Sequence, residues 1–446
     1  GGTVATLWQA GRAAAAGARA ERRFNEVREL ALKLLFDVHN EFAMLPGSTP
    51  ARKTLVETGL RYLDSLAQES SDDRKLQLEL AEAYHRIGDI QGNPRYPHLG
   101  DVDGALASYC KSLAIRQRLH DADPGDRPIR QLLARGHAGL ADILWATGDS
   151  EGALSSYQTA LDLLTPLMED APDDTRLQAQ AASLHSDIGD LLAEAERYEE
   201  AETRYRESLA ISQSLATSKP GDFEAEVNLS VIQANMGDIA WYRGDFTQAL
   251  DWYQRSLEIR QRLRDQDPKN QFILHYLVSI YCNIGDTLLS MDRPADALDS
   301  FQGAIAIAKE YHQGDPQNQQ AQRDLAISCA QAAEASGKLE NYDAAIPLMR
   351  QAAELHGARV EAAPEDVASR RDLADACHRL GLLHAKAGFQ GGARADAHLR
   401  EAMQWFAKSN REIDEIARRG PLAPADEQLR LRNGELLAQG SPAGVN

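Results

Sequence analysis

Five aspartates, Asp89, Asp142, Asp190, Asp238 and Asp286, recur along the 446-residue chain, the last four at intervals of 48. Glu334 continues the series one interval later, and Leu382 ends it. An ionised carboxylate only accepts hydrogen bonds, so such a file has two uses. It can take donors from neighbouring side chains or backbone and hold a stack of units together. Alternatively, it can offer charge-assisted hydrogen bonds to a basic or amide-rich extended ligand. Trp145 and Trp241, three residues beyond their aspartates, would add aromatic faces, and Asn235 and Asn283, three residues before theirs, would add amides. These nine residues are the candidate ligand-binding set.

Catalytic chemistry has no such pattern. No Ser-His-Asp or Cys-His arrangement can be nominated from spacing, and twelve histidines include no H-E-x-x-H. His378 and His384 are six apart on one helix and do not share a face. The four cysteines, Cys110, Cys282, Cys329 and Cys377, contain no C-x-x-C pair, which argues against a zinc site or a disulfide framework. Cys329 and Cys377 fall on neighbouring helices roughly 8 to 10 Å apart, too far for a disulfide without movement. The expectation is small residues packed between helices, with no metal, no cofactor and no enzyme activity in this chain.

The acids belong to a repeating frame. Each follows an anchor at Gly88, Ala141, Gly189, Gly237 or Gly285, and the grid continues to Ala333 and Gly381. A five-residue insertion within Gly92-Asn93-Pro94-Arg95-Tyr96-Pro97-His98-Leu99-Gly100-Asp101 displaces the first anchor. Prolines keep the same period at Pro124, Pro172, Pro220, Pro268, Pro316 and Pro364. A fixed period of this size is the signature of a solenoid, in which each unit buries its apolar face against its neighbours.

Two residues after each proline stands a helix-capping side chain, Asp126, Asp174, Asp222, Asn270, Asn318 or Asp366, with Asp73 equivalent in the first repeat. Each predicts the start of a helix A of about 20 residues. Glycine inside a helix costs about 1 kcal/mol relative to alanine, so the anchors imply close approach by a second helix, B. Its matching small residues would be Ala105, Ala153, Ala201, Ala249, Ala297, Ala345 and Ala395. Tyr109, Tyr157, Tyr205, Tyr253 and Phe301 follow four residues later on the same face. His137 and His185, each four residues before an anchor, read as core or boundary positions.

Glycine on helix A, alanine twelve residues later, an aromatic four beyond and proline after helix B resemble the tetratricopeptide repeat. The resemblance covers roughly residues 73 to 415, and its departure is a period of 48 in place of the usual ~34. It implies an all-α, right-handed α-solenoid of seven helix pairs. It further implies that the residue after each anchor faces a concave groove and contacts bound peptide, so the partner would be a protein or extended peptide, basic in character. The domain reading is a juxtamembrane or linker segment at 1–22, an N-terminal helical hairpin at 23–70, repeats at 71–418, and a capping helix with a disordered tail at 419–446.

Lys and Arg number 48 against 67 Asp and Glu, a net charge of -19, so counterion-releasing contacts to phosphate are unavailable over most of the surface and nucleic acid is excluded as the expected partner. The chain opens at Gly1, the expectation for a piece of a longer product. Gly1 to Trp8 is apolar, too short for a bilayer, and fits either the end of a membrane helix with Trp8 at the interface or a frayed terminus. The insertion, together with ERRFNEVRELALKLLFDVHNEF and LPGSTPARKTLVETGLRYLDSLAQE upstream, resembles the C-terminal region of bacterial transmembrane serine/threonine protein kinases. That family implies a cytoplasmic kinase domain, a membrane helix and an extracytoplasmic repeat region, hence a periplasmic location and a membrane anchor preceding Gly1. The chain itself has no glycine-rich phosphate loop, H-R-D or D-F-G element, and Arg370-Arg371-Asp372 only begins a helix. The alternative is an intracellular adaptor or chaperone-like scaffold with no membrane link.

Overall fold

The computed structural model describes residues 49–69, 73–95, 98–316 and 318–438, with Lys33 besides. Among them are sixteen helices and no strand. The segments read as juxtamembrane (1–22), as the first helix of the hairpin (23–42, Lys33 apart) and as the disordered end (440–446) lie outside the described residues.

Helix α1 (Thr49–Glu69) precedes seven A/B pairs: α2 (Arg74–Gly92) and α3 (Val102–Ala122), α4 (Arg127–Ala146) and α5 (Ser150–Asp170), α6 (Thr175–Glu194) and α7 (Tyr198–Ser218), α8 (Phe223–Tyr242) and α9 (Phe246–Gln266), α10 (Gln271–Ser290) and α11 (Pro294–Gly314), α12 (Gln319–Lys338) and α13 (Tyr342–Ala362), α14 (Val367–Phe389) and α15 (Ala395–Ala417). Helix α16 (Pro424–Ala438) follows. The contacts divide the chain into two compact units, Gly1–Ile211 and Ser212–Asn446. In the first, Leu63 of α1 packs with Leu80, Tyr84 and Ile87 of α2 and with Ile115 and Ile129. In the second, one apolar cluster extends from Ala234 to Ala387, through α8 to α14. Helix α10 is long and apolar enough to cross a membrane by length and composition, yet Ile273, Leu277, Ile280 and Ile284 are buried in that cluster.

All seven expected caps form. Asp73, Asp126, Asp174, Asp222, Asn270, Asn318 and Asp366 each accept from an amide of the first turn of helix A. Helix B is capped as well, by Asp101, Asp149, Asp245 and Asn341, a register the sequence reading passed over. Between A and B the chain turns through a left-handed residue, Gly148 and Gly244 in two repeats but Glu196, Asp292 and Glu340, near φ 58°, in three others.

The anchors face an aromatic ring rather than an alanine. A Cβ added at Gly189 would lie 2.5 Å from Tyr205 Cε1, at Gly381 2.6 Å from Phe406 Cε1, and at Gly88 3.0 Å from Tyr109 Cδ2; at Gly237 and Gly285 the rings of Tyr253 and Phe301 stand closer still. The ring therefore occupies the space a methyl would need. In the last repeat the ring is Phe406, preceded four residues earlier by the fully buried Ala402. Ala395, read from the sequence as the matching alanine, is only the first residue of α15 and half-buried. Extra residues between Gly381 and Ala402, among them Gly391, Gly392, Ala393 and Arg394, displace helix B of this repeat from the register of the others. Three cysteines are buried as expected, whereas Cys110 is exposed; all four are free.

Gly285→Ala is expected to lose about 1–3 kcal/mol by overpacking against Phe301, even though alanine is the better helix former by about 1 kcal/mol. Adding Phe301→Met reproduces the Ala333/Met349 pair of the following repeat, where both residues are buried, and should recover part of the loss. Urea denaturation of the two single variants and the double variant checks this; a neutral Gly285→Ala would show that the ring yields freely.

Candidate functional site

The candidate aspartates sit one residue beyond the anchors, and that places four of the five carboxylates at the tip of the ring paired with their anchor. Tyr205 donates its hydroxyl to Asp190 at 2.6 Å, and Tyr253 donates to Asp238 at 2.6 Å. Tyr109 and Tyr157 do the same to Asp89 and Asp142. Phe301 has no hydroxyl, and Asp286 instead accepts from Gln331 Nε2 of the next repeat at 2.7 Å.

A second tie runs from repeat to repeat in the second unit. Asn283 Nδ2 donates to Asp238 at 3.2 Å, Gln331 donates to Asp286, and Arg379 donates to Glu334, each across 45 residues. One register position, two residues before the anchor, thus supplies the donor each time. In the first unit that position holds Asp187, an acid facing Asp142. The conflict is resolved by the insertion: Arg95 lies 2.8 Å from both Asp142 and Asp187, and Asn93 Nδ2 donates to Asp142 at 3.3 Å and to the Tyr109 hydroxyl at 2.8 Å. Against the desolvation of the guanidinium, the charges of Asp187 and Asp142 in turn hold it protonated well above its usual range.

Burial leaves its mark on the acids. Desolvation pushes the Asp89 carboxyl up to about 6, against the Tyr109 hydrogen bond. Desolvation, then the nearby Glu334 charge, pushes Asp286 up to about 6. Asp238 and Asp187 are likewise raised by desolvation, opposed by Tyr253 and Arg95 respectively.

The other members of the set are dispersed. Trp145 Nε1 donates to Glu194 of the next repeat at 2.7 Å. Trp241 packs edge-on to Tyr242 at 5.4 Å, and its buried indole N–H has no acceptor; Ser290 stands 49 residues on, where Glu194 stands relative to Trp145. Asn235 is half-buried on α8. Asp89 and Asp142 share an open depression of about 350 Å³ with His85, Arg95, Gly139 and Asp187, walled by α2, α4 and α6. The buried thiols of Cys282 and Cys377 are pushed up to about 12 by desolvation, which makes them unreactive.

Sequence reasoning missed two buried arginines. Arg116 Nη1 donates to the Leu132 carbonyl at 2.8 Å and Arg260 Nη1 to the Tyr276 carbonyl at 2.6 Å, each reaching helix A of the next repeat. Their spacing of three full periods was the available signal.

Residues 231–268, 278–311 and 331–387 match models of the tetratricopeptide repeat. The chain carries tetratricopeptide repeats. RapI in its apo form is similar over 92% of this chain and 96% of its own, at 11% identity and a TM-score of 0.52. BtubC from P. vanneervenii is similar over 58% of this chain and 92% of its own, at 22% identity and a TM-score of 0.46. The STAND signal-transduction ATPase with a tetratricopeptide repeat sensor from Pyrococcus horikoshii is similar over 88% of this chain and 49% of its own, at 17% identity and a TM-score of 0.47. At these identities the likeness is one of fold. No curated protein matches the chain. A tetratricopeptide scaffold for protein–protein interaction is the function this fold carries.

Between about pH 4 and about 6, Asp286 holds a proton in the folded state that the unfolded chain, with an aspartate value of about 3.9, has already released. Its contribution to stability is therefore full below pH ~4 and is lost as pH rises through about 6. Asp286→Asn keeps an acceptor for Gln331 and removes that loss. The variant should melt higher than the parent near pH ~7 and equally near pH ~4; a constant difference in melting temperature across that range would contradict the assignment.

Proposed function

We propose that the helix-A faces form a groove for an extended polypeptide with basic or amide-rich side chains. We propose further that the chain is the extracytoplasmic binding region of a bacterial membrane serine/threonine kinase, coupling partner binding to kinase association across the membrane. The observation that carries the groove reading is the depression walled by three successive helices A, because two of the candidate aspartates line it together. Carboxylates already held by tyrosine are fixed in place, and each keeps lone pairs for further donors. The kinase reading rests on the resemblance of the insertion and of the segment preceding the repeats. The insertion is integral to the first unit, where Asn93 and Arg95 complete its polar contacts.

Two measurements test these readings. Fluorescence anisotropy with pools of extended peptides should show the basic pool bound and the acidic pool not, with Asp238→Asn plus Asp286→Asn weakening the basic pool about tenfold or more at retained helicity. Equal binding of the two pools, or no effect of the substitutions, would sink the groove. The coding sequence upstream of Gly1 should encode a kinase domain followed by about 20 apolar residues; an initiator methionine adjoining Gly1 would end the kinase reading.

A further inference from the structure

The tie between repeats is missing at Asp89. Asp238, Asp286 and Glu334 each accept from the residue two before the next anchor. After Asp89 that residue is Gly139, which has no side chain to give. Nor is there space for one: a Cβ at Gly139 would lie 2.7 Å from Tyr109 Cε1 and 3.0 Å from His85 Cε1. Asp89 has the Tyr109 hydroxyl as its hydrogen-bond donor, whereas Asp142 has Tyr157, Asn93 and Arg95.

One turn earlier on the same face of α2, His85 is 4% exposed, and its Nδ1 has no hydrogen-bond partner. Its ring packs edge-on to Tyr109 at 5.1 Å. Desolvation, with Arg116 and Arg135 nearby, keeps the imidazole neutral, so one ring nitrogen is an acceptor. His85 and Asp89 both line the depression of about 350 Å³, a volume at the small end for ligand sites. The other charges there are engaged: Arg95 bridges Asp142 and Asp187, and Arg135 lies 3.1 Å from Glu82. What remains is an under-supplied carboxylate beside open space and, one turn away, an unpartnered, buried nitrogen on an imidazole that lines the same space. That arrangement calls for a donor carrying positive charge.

We propose that the depression between α2, α4 and α6 is a socket for one cationic side chain, arginine or lysine, of a groove-bound partner, whose N–H groups are received by Asp89 and His85 Nδ1. The assignment rests on the groove reading and names the chemistry of one of its subsites. It takes the place that Asn283, Gln331 and Arg379 fill in the second unit. Charge-assisted hydrogen bonds to a desolvated carboxylate are worth more than neutral ones, so one such side chain would set the register of an extended ligand.

The test uses the full chain with N-acetyl-arginine methylamide and N-acetyl-lysine methylamide as probes and N-acetyl-norleucine methylamide as the uncharged comparator, followed by calorimetry. At least one cationic probe should bind saturably and the norleucine probe should not. Asp89→Asn should weaken the cationic probe about tenfold or more. Ala138→Leu, which fills the depression from α4 without changing a charge, should do the same, and Asp299→Asn on the exposed face of α11 should change nothing. If Asp89→Asn fails to fold, Ala138→Leu at retained helicity decides. Absent or non-saturable binding of both cationic probes overturns the socket, as does equal binding to the folded variants. Loss of the probes with basic-pool binding intact overturns the socket alone, whereas failure of pool binding overturns the groove.

Discussion

In five of the repeats one contact closes the helix pair, an aromatic ring of helix B laid against a glycine of helix A. A helix pair in a solenoid cannot bury its own apolar face, so the angle and spacing of the pair must be set locally before stacking can work. Glycine gives up about 1 kcal/mol of helix propensity and lets the ring of Tyr205, Tyr253 or Phe301 come where a methyl would clash. With the ring in place, the tyrosine hydroxyl emerges beside the next residue of helix A, and an aspartate there receives it. The file of carboxylates is thus a consequence of the ring contact as much as a surface in its own right.

The exceptions follow the same logic. Where the hydroxyl disappears at Phe301, Asp286 turns to Gln331 of the next repeat. Where the ring gives way to Met349 and the anchor gains a methyl at Ala333, the acid becomes the exposed Glu334, paired with Arg379. By the last repeat, with Phe406 on Gly381, the acid is replaced by Leu382. Each step removes a donor and then relaxes the demand for its acceptor. The insertion in the first unit answers the opposite problem. Asp187 stands where Asn283 and Gln331 stand elsewhere, leaving two carboxylates opposed, and Arg95 enters between them at 2.8 Å from each. Removing one member of such a group would strand partly buried charge, which ties the loop to the fold of its neighbours.

Much of this was legible in the sequence because it repeats at fixed register. The period, the seven caps of helix A, the anchors and the aromatic positions all follow from side chains acting within a few residues of their own backbone. Other features were hidden. Ala395 was aligned by residue type alone, and only the ring of Phe406 on Gly381 shows that Ala402 is its counterpart. The choice between alanine and ring as the neighbour of the anchor depends on how helix B is rotated about its axis, which spacing within one helix does not fix. The partners of the aspartates lie 15 to 49 residues away across turns, and an acid beside a tip-exposed hydroxyl has the same sequence as one facing solvent. The role of Arg95 depends on a loop without internal periodicity.

The proposed groove asks these acids for more than structural duty. A carboxylate has about four lone-pair sites, and a tyrosine hydroxyl occupies one of them while fixing the group in orientation. An acceptor held in this way loses little further freedom when a second donor arrives, which is the condition under which a polar contact adds most to affinity. What distinguishes the repeats is how many sites are already taken. Asp142 is served by three side chains, Asp238 by two, and Asp89 and Asp286 by one each. Capacity for an external donor therefore differs from repeat to repeat, and at Asp89, where the repeat-to-repeat donor has been replaced by Gly139, the unfilled sites adjoin an open depression.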